Sequence, residues 1–341
     1  MKGYHKKSKS NFDLDFFICA ARHNIICVLA RNIIFAKQMH HIAARRCIIL
    51  LISTSSRVIW CETVEMFTDL WYNGAKKGGV LMARLQAHRG VSFEYPENTM
   101  VAYQAAVDQG YAIIELDPKY TLDNKFVMLH DHSLKRTARN DEGVAPEVNI
   151  EDITLEQAKG YEYGSWKDEK FKGEGIPTLS DVLDFSEKNP NLPLKFDNVW
   201  TKFPDELRKA FLNEIAEREG KVNVGITCNT LESLEEVAKT LPWATLHYDG
   251  MDLSEDLLKT VLAIANKREL FIWVCYDLPD LSWFKGEKAT PELCERVRKY
   301  GKLGIWIIST HEELETAVLK FKADLIETNG RIKPQWLSSL V

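Results

Sequence analysis

Among the seven cysteines of this 341-residue chain there is no CxxC pair, and no block of Lys or Arg follows Arg57. No apolar stretch approaches the ~20 residues that a membrane-spanning helix needs. Each absence excludes something. Unpaired cysteine spacings argue against a zinc ribbon or a disulfide framework, so a reducing, cytoplasmic setting is the simplest expectation. Cys228 and Cys275 lie in apolar runs and read as buried thiols. With a net charge of −5 and no basic stripe, the chain lacks an electrostatic footprint for nucleic acid. Internal repeats and low-complexity tracts are also missing.

Residues 1–65 contain no proline and one glycine, and mix basic, aromatic and β-branched residues without a period. The run from Cys47 to Ser53 is too short to span a bilayer; it resembles a signal-peptide core but lacks a small-x-small cleavage site. This segment reads as a non-domain extension of unknown role, with a targeting segment as the alternative. It carries ten Lys/Arg against four Asp/Glu, so the acidic charge is concentrated in the body. An acidic body suits a bound cation and a small substrate, and no stable membrane insertion is expected.

From residue 82 to 341, short apolar runs alternate with helical patterns, as in a parallel sheet wound or closed by helices. Strands are expected at Leu85–His88, Ala112–Asp117, Phe126–His130, Leu192–Asp197, Val222–Ile226, Ala244–Tyr248, Leu270–Tyr276, Leu303–Ile308 and Asp324–Thr328. That is nine candidates for the eight positions of a (β/α)8 TIM barrel. One of Ala244–Tyr248 and Leu270–Tyr276 is therefore expected outside the wall. Asn98 or Thr99 caps the first helix, and Thr178 with Asp181 opens a later one. The polar stretch Ser133–Gly175, with a helical piece at Leu155–Lys159, is too long for a mere link. It is expected to form a lid or substrate wall inserted after the third strand.

The chemistry collects at strand ends. His88-Arg89-Gly90 closes the first strand, Glu115 and Asp117 share one face of the second, His130-Asp131 closes the third, and Lys195 and Asp197 share one face of the fourth. In a barrel these ends meet at one mouth. Three carboxylates make a hard oxygen site for one divalent cation, Ca2+ or Mg2+. Arg89 and Lys195 suit phosphate oxygens, and His88 and His130 suit acid–base work near neutral pH. His130-x-His132 also fits a metal pair of the amidohydrolase kind, but His247 and His311 are poorly placed to complete it, and His132 reads as a loop residue. Asp123 reads as holding the Thr121–Lys125 turn.

His88-Arg89-Gly90, Pro96-Glu97-Asn98-Thr99, Glu115-x-Asp117, Thr121-x-Asp123 and His130-Asp131 together resemble the glycerophosphodiester phosphodiesterase family, and the likeness extends over roughly residues 85–334. The resemblance implies a barrel, a divalent metal, and hydrolysis of a small glycerophosphodiester to an alcohol and glycerol 3-phosphate. It makes His88 and His130 the acid–base pair, Arg89 a phosphate ligand, Glu115 and Asp117 metal ligands, and Trp306 part of the substrate pocket. Glu97 and Asn98 are expected behind the ligand-contacting residues.

Two departures stand out. The family's Glu-x-Lys on the fourth strand is Lys195-x-Asp197 here, which suggests that the ammonium and the third metal carboxylate have exchanged places. Glu327-Thr328-Asn329 replaces a common Thr-Asp ending. The competing readings are a phospholipase D-like enzyme acting on lysophospholipids and a catalytically silent barrel that binds polyol phosphates.

Overall fold

Strand-like apolar runs whose alternate residues differ in character have two faces to satisfy, and a closed parallel barrel satisfies both. In the computed structural model the described residues are 83–277 and 284–340, together with strand backbone at Phe16–Ala21, Ile25–Ala30, Leu51–Ser53 and Val58–Ile59. The chain divides into two units, residues 1–80 and 81–341. In the first, the four strands form an antiparallel sheet in chain order. Most of the expected extension over 1–65 lies outside the described residues.

The second unit begins with β1 (Arg84–Ala87), α1 (Met100–Asp108) and β2 (Ile113–Leu116). A ribbon follows, β3 (Pro118–Tyr120) and β4 (Phe126–Met128), then α2 (Leu155–Lys159) and α3 (Leu179–Lys188). Next come β5 (Leu194–Phe196), α4 (Asp205–Ala216), β6 (Val224–Cys228), α5 (Leu231–Thr240), β7 (Thr245–Tyr248) and α6 (Glu255–Ala265). The chain finishes with β8 (Leu270–Cys275), α7 (Pro291–Arg298), β9 (Lys302–Ile308), α8 (His311–Glu315) and β10 (Leu325–Thr328). Strands β1, β2 and β5 to β10 close into an eight-stranded parallel barrel, a (β/α)8 TIM barrel.

The strand outside the wall is neither of the two suspected. Both Thr245–Tyr248 and Leu270–Cys275 are barrel strands, and Phe126–Met128 is the exception: it pairs antiparallel with Pro118–Tyr120. Too few residues separate Leu116 from Phe126 for the crossover that two parallel neighbours require. A tight turn joins the ribbon instead, with Asn124 at φ 59° and Thr121 Oγ1 donating to Asp123 Oδ1 at 2.6 Å. The insertion thus starts after the second barrel strand rather than the third. It has a small apolar core of its own, which includes Val127, Leu129, Leu134, Ile150, Tyr163 and Ile176.

Outward residues such as Leu85, Ile114, Leu116, Phe196, Ile226, Leu246, Ile272 and Ile326 pack under the helices in the main core. The inward floor is Ile113, Phe271, Trp273 and Leu325. Above it the lumen turns polar, with Gln86, Glu115, Lys195, His247 and Glu327 all buried. Gly225 makes room there, since a Cβ at that position would lie 2.4 Å from His247 Nε2. The helix starts are locally determined: Thr99 caps α1, and Thr178 forms a capping box with Asp181 on α3. Each such cap contributes about 1 kcal/mol.

Candidate active site at the barrel mouth

His88 follows β1 at the C-terminal rim. Its Nδ1 lies 2.6 Å from Asn329 Oδ1, beyond the end of β10. An amide oxygen only accepts, so Nδ1 carries the proton and Nε2 keeps its lone pair. Nε2 stands 3.9 Å from Glu115 Oε2. Burial lowers the pKa of His88 below the usual imidazole value, even though Glu327 opposes this.

The next residue, Arg89, turns the chain into the mouth with φ 57°. Its backbone N–H donates to Glu115 Oε2 at 2.9 Å, its Nη1 to Glu97 Oε1 at 3.0 Å, and its Nε lies 3.1 Å from Asp117 Oδ2. Gly90 continues the turn at φ 77°, where a Cβ would sit 2.7 Å from the Ala102 backbone carbon. Only glycine fits there.

Glu115 ends the inward row of β2, opposite Lys195 on β5. Burial, reinforced by Asp117 and Glu327, pushes Glu115 well above the carboxylate range. Burial favours the same outcome for Asp117, but Arg89 and then the two imidazoles, His130 and His88, outweigh it and hold Asp117 low. Asn98 fixes this carboxylate, donating from Nδ2 to Asp117 Oδ2 at 2.8 Å while its Oδ1 accepts from Tyr103 at 3.0 Å. Asp197 caps the turn after β5 by accepting from the Val199 N–H at 3.3 Å. Burial and Asp117 raise its pKa.

Lys195 is buried in the lumen. Its Nζ lies 3.3 Å from Glu327 Oε2 and 4.2 Å from the centre of the Trp273 ring. Burial works against its charge, but Glu327, Glu115, Asp197 and Asp249 outweigh it, so the ammonium persists. Trp306 on β9 donates from Nε1 to Asp249 Oδ1 at 3.1 Å. Burial raises Asp249 to about 7.

His130 arrives from the insertion just after β4, because its strand lies outside the wall. Its Nδ1 is 2.6 Å from Asp131 Oδ1. Burial opposes ionisation of Asp131, but bonds from Arg136 and His130 hold it down to about 2. His132 is exposed and pairs with Glu151 at 2.6 Å, away from this network.

The structure therefore joins His88, Arg89, Glu97, Asn98, Glu115 and Asp117 by direct contacts, and brings His130, Lys195 and Asp197 within electrostatic reach. Sequence reasoning missed three polar neighbours: Glu327, Asn329 and Asp249. Leu325, Glu327 and Asn329 alternate on one inward face, a period-2 signal that was present but read only as a departure. Among the described residues no group of three or more His, Cys, Asp or Glu side chains is placed to hold a metal ion. Asp117 is engaged by Asn98 and Arg89, and Glu327 by Lys195 and Gln86. The donor chemistry still fits a hard cation. Like-charge repulsion contributes to raising both Glu115 and Asp197, and a cation bound there would relieve it.

A parallel barrel whose mouth gathers two imidazoles, an arginine and several buried carboxylates defines a barrel enzyme for an anionic substrate. The model of the glycerophosphoryl diester phosphodiesterase family matches residues 88–302. A glycerophosphodiester phosphodiesterase of Caldanaerobacter subterraneus subsp. tengcongensis is 30% identical over 257 residues, covering 75% of this chain and 96% of that protein. Glycerophosphodiester phosphodiesterase 1 of Bos taurus is 27% identical over 255 residues, covering 67% of this chain and 72% of its own. The chain belongs to the glycerophosphoryl diester phosphodiesterase family, whose enzymes hydrolyse glycerophosphodiesters.

Solved structures share the fold. A glycerophosphoryl diester phosphodiesterase from Parabacteroides distasonis superposes with a TM-score of 0.58 at 19% identity, over 78% of this chain and 88% of its own. An Oleispira antarctica phosphodiesterase, solved with the product sn-glycerol-3-phosphate, superposes at 0.59 with 20% identity, over 76% and 96%. Among the described residues no helix is long and apolar enough to cross a membrane.

Proposed function

We propose that the mouth hydrolyses a small glycerophosphodiester to an alcohol and glycerol 3-phosphate by acid–base chemistry at phosphorus. The observation that carries this reading is that two imidazoles from different elements each have Nδ1 engaged by a side-chain oxygen, His88 by Asn329 and His130 by Asp131, which leaves both Nε2 atoms for proton transfer. A silent polyol-phosphate binder has no use for two such groups. The product seen in the Oleispira antarctica structure is of the same class.

His88 acts as the base. Its ring is kept neutral by burial, its Nδ1–H is committed to Asn329, and Nε2 takes the proton of the attacking hydroxyl. That hydroxyl comes from water, which gives glycerol 3-phosphate directly, or from the adjacent glycerol hydroxyl, which gives a cyclic phosphate that water then opens to glycerol 3-phosphate in a second displacement. As its oxygen bonds phosphorus, the opposite P–O bond breaks, and His130 gives a proton to the leaving alkoxide. His130 suits this step because its side chain is 40% exposed, against 20% for His88, so it is the more open of the two to a departing alcohol.

Arg89 binds the phosphoryl oxygens, and Lys195 adds positive charge beneath them. Glu115, Asp117 and Asp197 hold one divalent cation, Ca2+ or Mg2+, which when bound supplies Lewis-acid stabilisation of the phosphoryl oxygens. Trp306 walls the pocket, and Glu97 and Asn98 hold Arg89 and Asp117 in place.

The test is product identity. With glycerophosphocholine as substrate and Mg2+ or Ca2+ present, phosphorus NMR should show glycerol 3-phosphate. Phosphocholine as the product would overturn the assigned bond cleavage.

A further inference from the structure

His130 poses a problem that the other site residues do not. Glu115, Lys195 and Asp197 sit on or next to barrel strands, so sheet register fixes them relative to one another. His130 belongs to the insertion. The ribbon ties its neighbour Leu129 to the barrel through one backbone bond, to the Asp117 carbonyl at 2.8 Å. That bond locates the chain but leaves the ring free to turn. Something must aim the imidazole.

We infer that Arg136 is the positioning residue that aims His130 at the phosphorus centre, by tying Asp131 of the insertion to Glu97 of the barrel. Its planar guanidinium is used on both edges. Nε donates to Asp131 Oδ2 at 2.6 Å, Nη1 to Glu97 Oε2 at 2.7 Å, and Nη2 to Glu97 Oε1 at 2.8 Å. Asp131 turns its other oxygen to His130 Nδ1 at 2.6 Å. Glu97 is held on its far side by Arg89 Nη1 at 3.0 Å, and Arg89 Nε lies 3.1 Å from Asp117. An unbroken chain of charged contacts therefore runs His130–Asp131–Arg136–Glu97–Arg89–Asp117. It crosses from the insertion to the barrel and ends on the Asp117 carboxylate beside Arg89.

The geometry demands arginine. One ammonium on a flexible stem cannot reproduce a fork that meets two oxygens of one carboxylate and a third oxygen of another. Arg136 is also 41% exposed, with Trp166 as its ring neighbour at 5.7 Å. Replacing it opens no cavity in either core, so its loss acts on geometry rather than on folding.

This inference rests on His130 acting in the reaction, and the experiment separates the two. Turnover of glycerophosphocholine is measured on the full chain for Arg136→Gln, Arg136→Lys, His130→Ala and the double variant Arg136→Gln/His130→Ala. Circular dichroism is recorded on each. Both Arg136 variants should lose roughly 10- to 10²-fold in kcat, as for a misplaced reacting group. KM should stay close to the parent, because Arg89 keeps Glu97 as its partner. In the His130→Ala background, Arg136→Gln should add no further loss, since groups acting as a unit are non-additive. Parental turnover in either Arg136 variant, or losses that multiply in the double variant, overturns the inference alone. Parental turnover in His130→Ala removes the acid–base reading and this inference together.

Discussion

Lys195 and Glu327 form an ion pair at 3.3 Å inside the barrel, joining β5 to β10 across the lumen. The pair bears on the reversed Lys195-x-Asp197 motif. An ammonium at an inward position needs a carboxylate, and Glu327 supplies one two residues before the Asn329 that orients His88. Breaking such a pair leaves a buried charge without its partner. Glu327→Gln should destabilise the fold by about 3–5 kcal/mol, and the paired change Lys195→Met/Glu327→Leu should recover part of that loss. Urea denaturation measures both. A Glu327→Gln chain with parental stability would show that the pair contributes nothing.

The exchange of roles on β5 concerns metal affinity. Asp197→Ala should weaken binding of Mg2+ or Ca2+ more than Lys195→Ala does, because only the aspartate offers an oxygen donor. Calorimetric titration of each variant with the ion alone decides the order. Equal loss, or the reverse order, would remove Asp197 from the ligand set. Chelation by EDTA should abolish turnover by the parent chain, and re-addition of the ion should restore it.

Asp249 gives a pH signature. Burial raises its folded pKa to about 7, whereas a free aspartate sits near 3.9. The unfolded chain therefore releases this proton first, and stability falls as pH rises from about 4 to about 7. Asp249→Asn keeps an acceptor for Trp306 but cannot ionise, so its thermal midpoint should gain on the parent at pH 8 relative to pH 4. Identical pH dependence in the two proteins would contradict the raised value.

His88 carries the opposite slope. Its pKa is lowered by burial, so the folded state resists a proton that the unfolded state accepts near pH ~6.5. Stability should fall as pH drops below that value, and His88→Asn should flatten this part of the curve. Thermal melts between pH 5 and 8 read the difference.

Much of the architecture was legible in the residues, and the failures have physical reasons. Barrel strands declare themselves by apolar runs with buried outward faces. Phe126–Met128 has the same appearance, because periodicity reports burial and not the identity of a strand's neighbour. The spacing from Leu116, too short for a crossover, held the information that the pattern lacked. At the site, His88, Arg89, Glu115 and Asp117 were readable because they lie close in sequence at consecutive strand ends. Glu327 and Asn329 were not, because their roles depend on barrel closure: β10 meets β1, placing Glu327 opposite Gln86. Asp249 became visible only once Trp306 was seen to reach it.

The proposed chemistry needs two imidazoles serving one phosphorus, and a rate comparison addresses that directly. Glycerol 3-phosphate release from glycerophosphocholine is measured at saturating metal for the parent, His88→Ala and His130→Ala. Each variant should lose roughly 10²- to 10⁴-fold in kcat while retaining its circular dichroism. If either turns over at the parental rate, that histidine takes no part in the chemistry and the proposed mechanism is wrong.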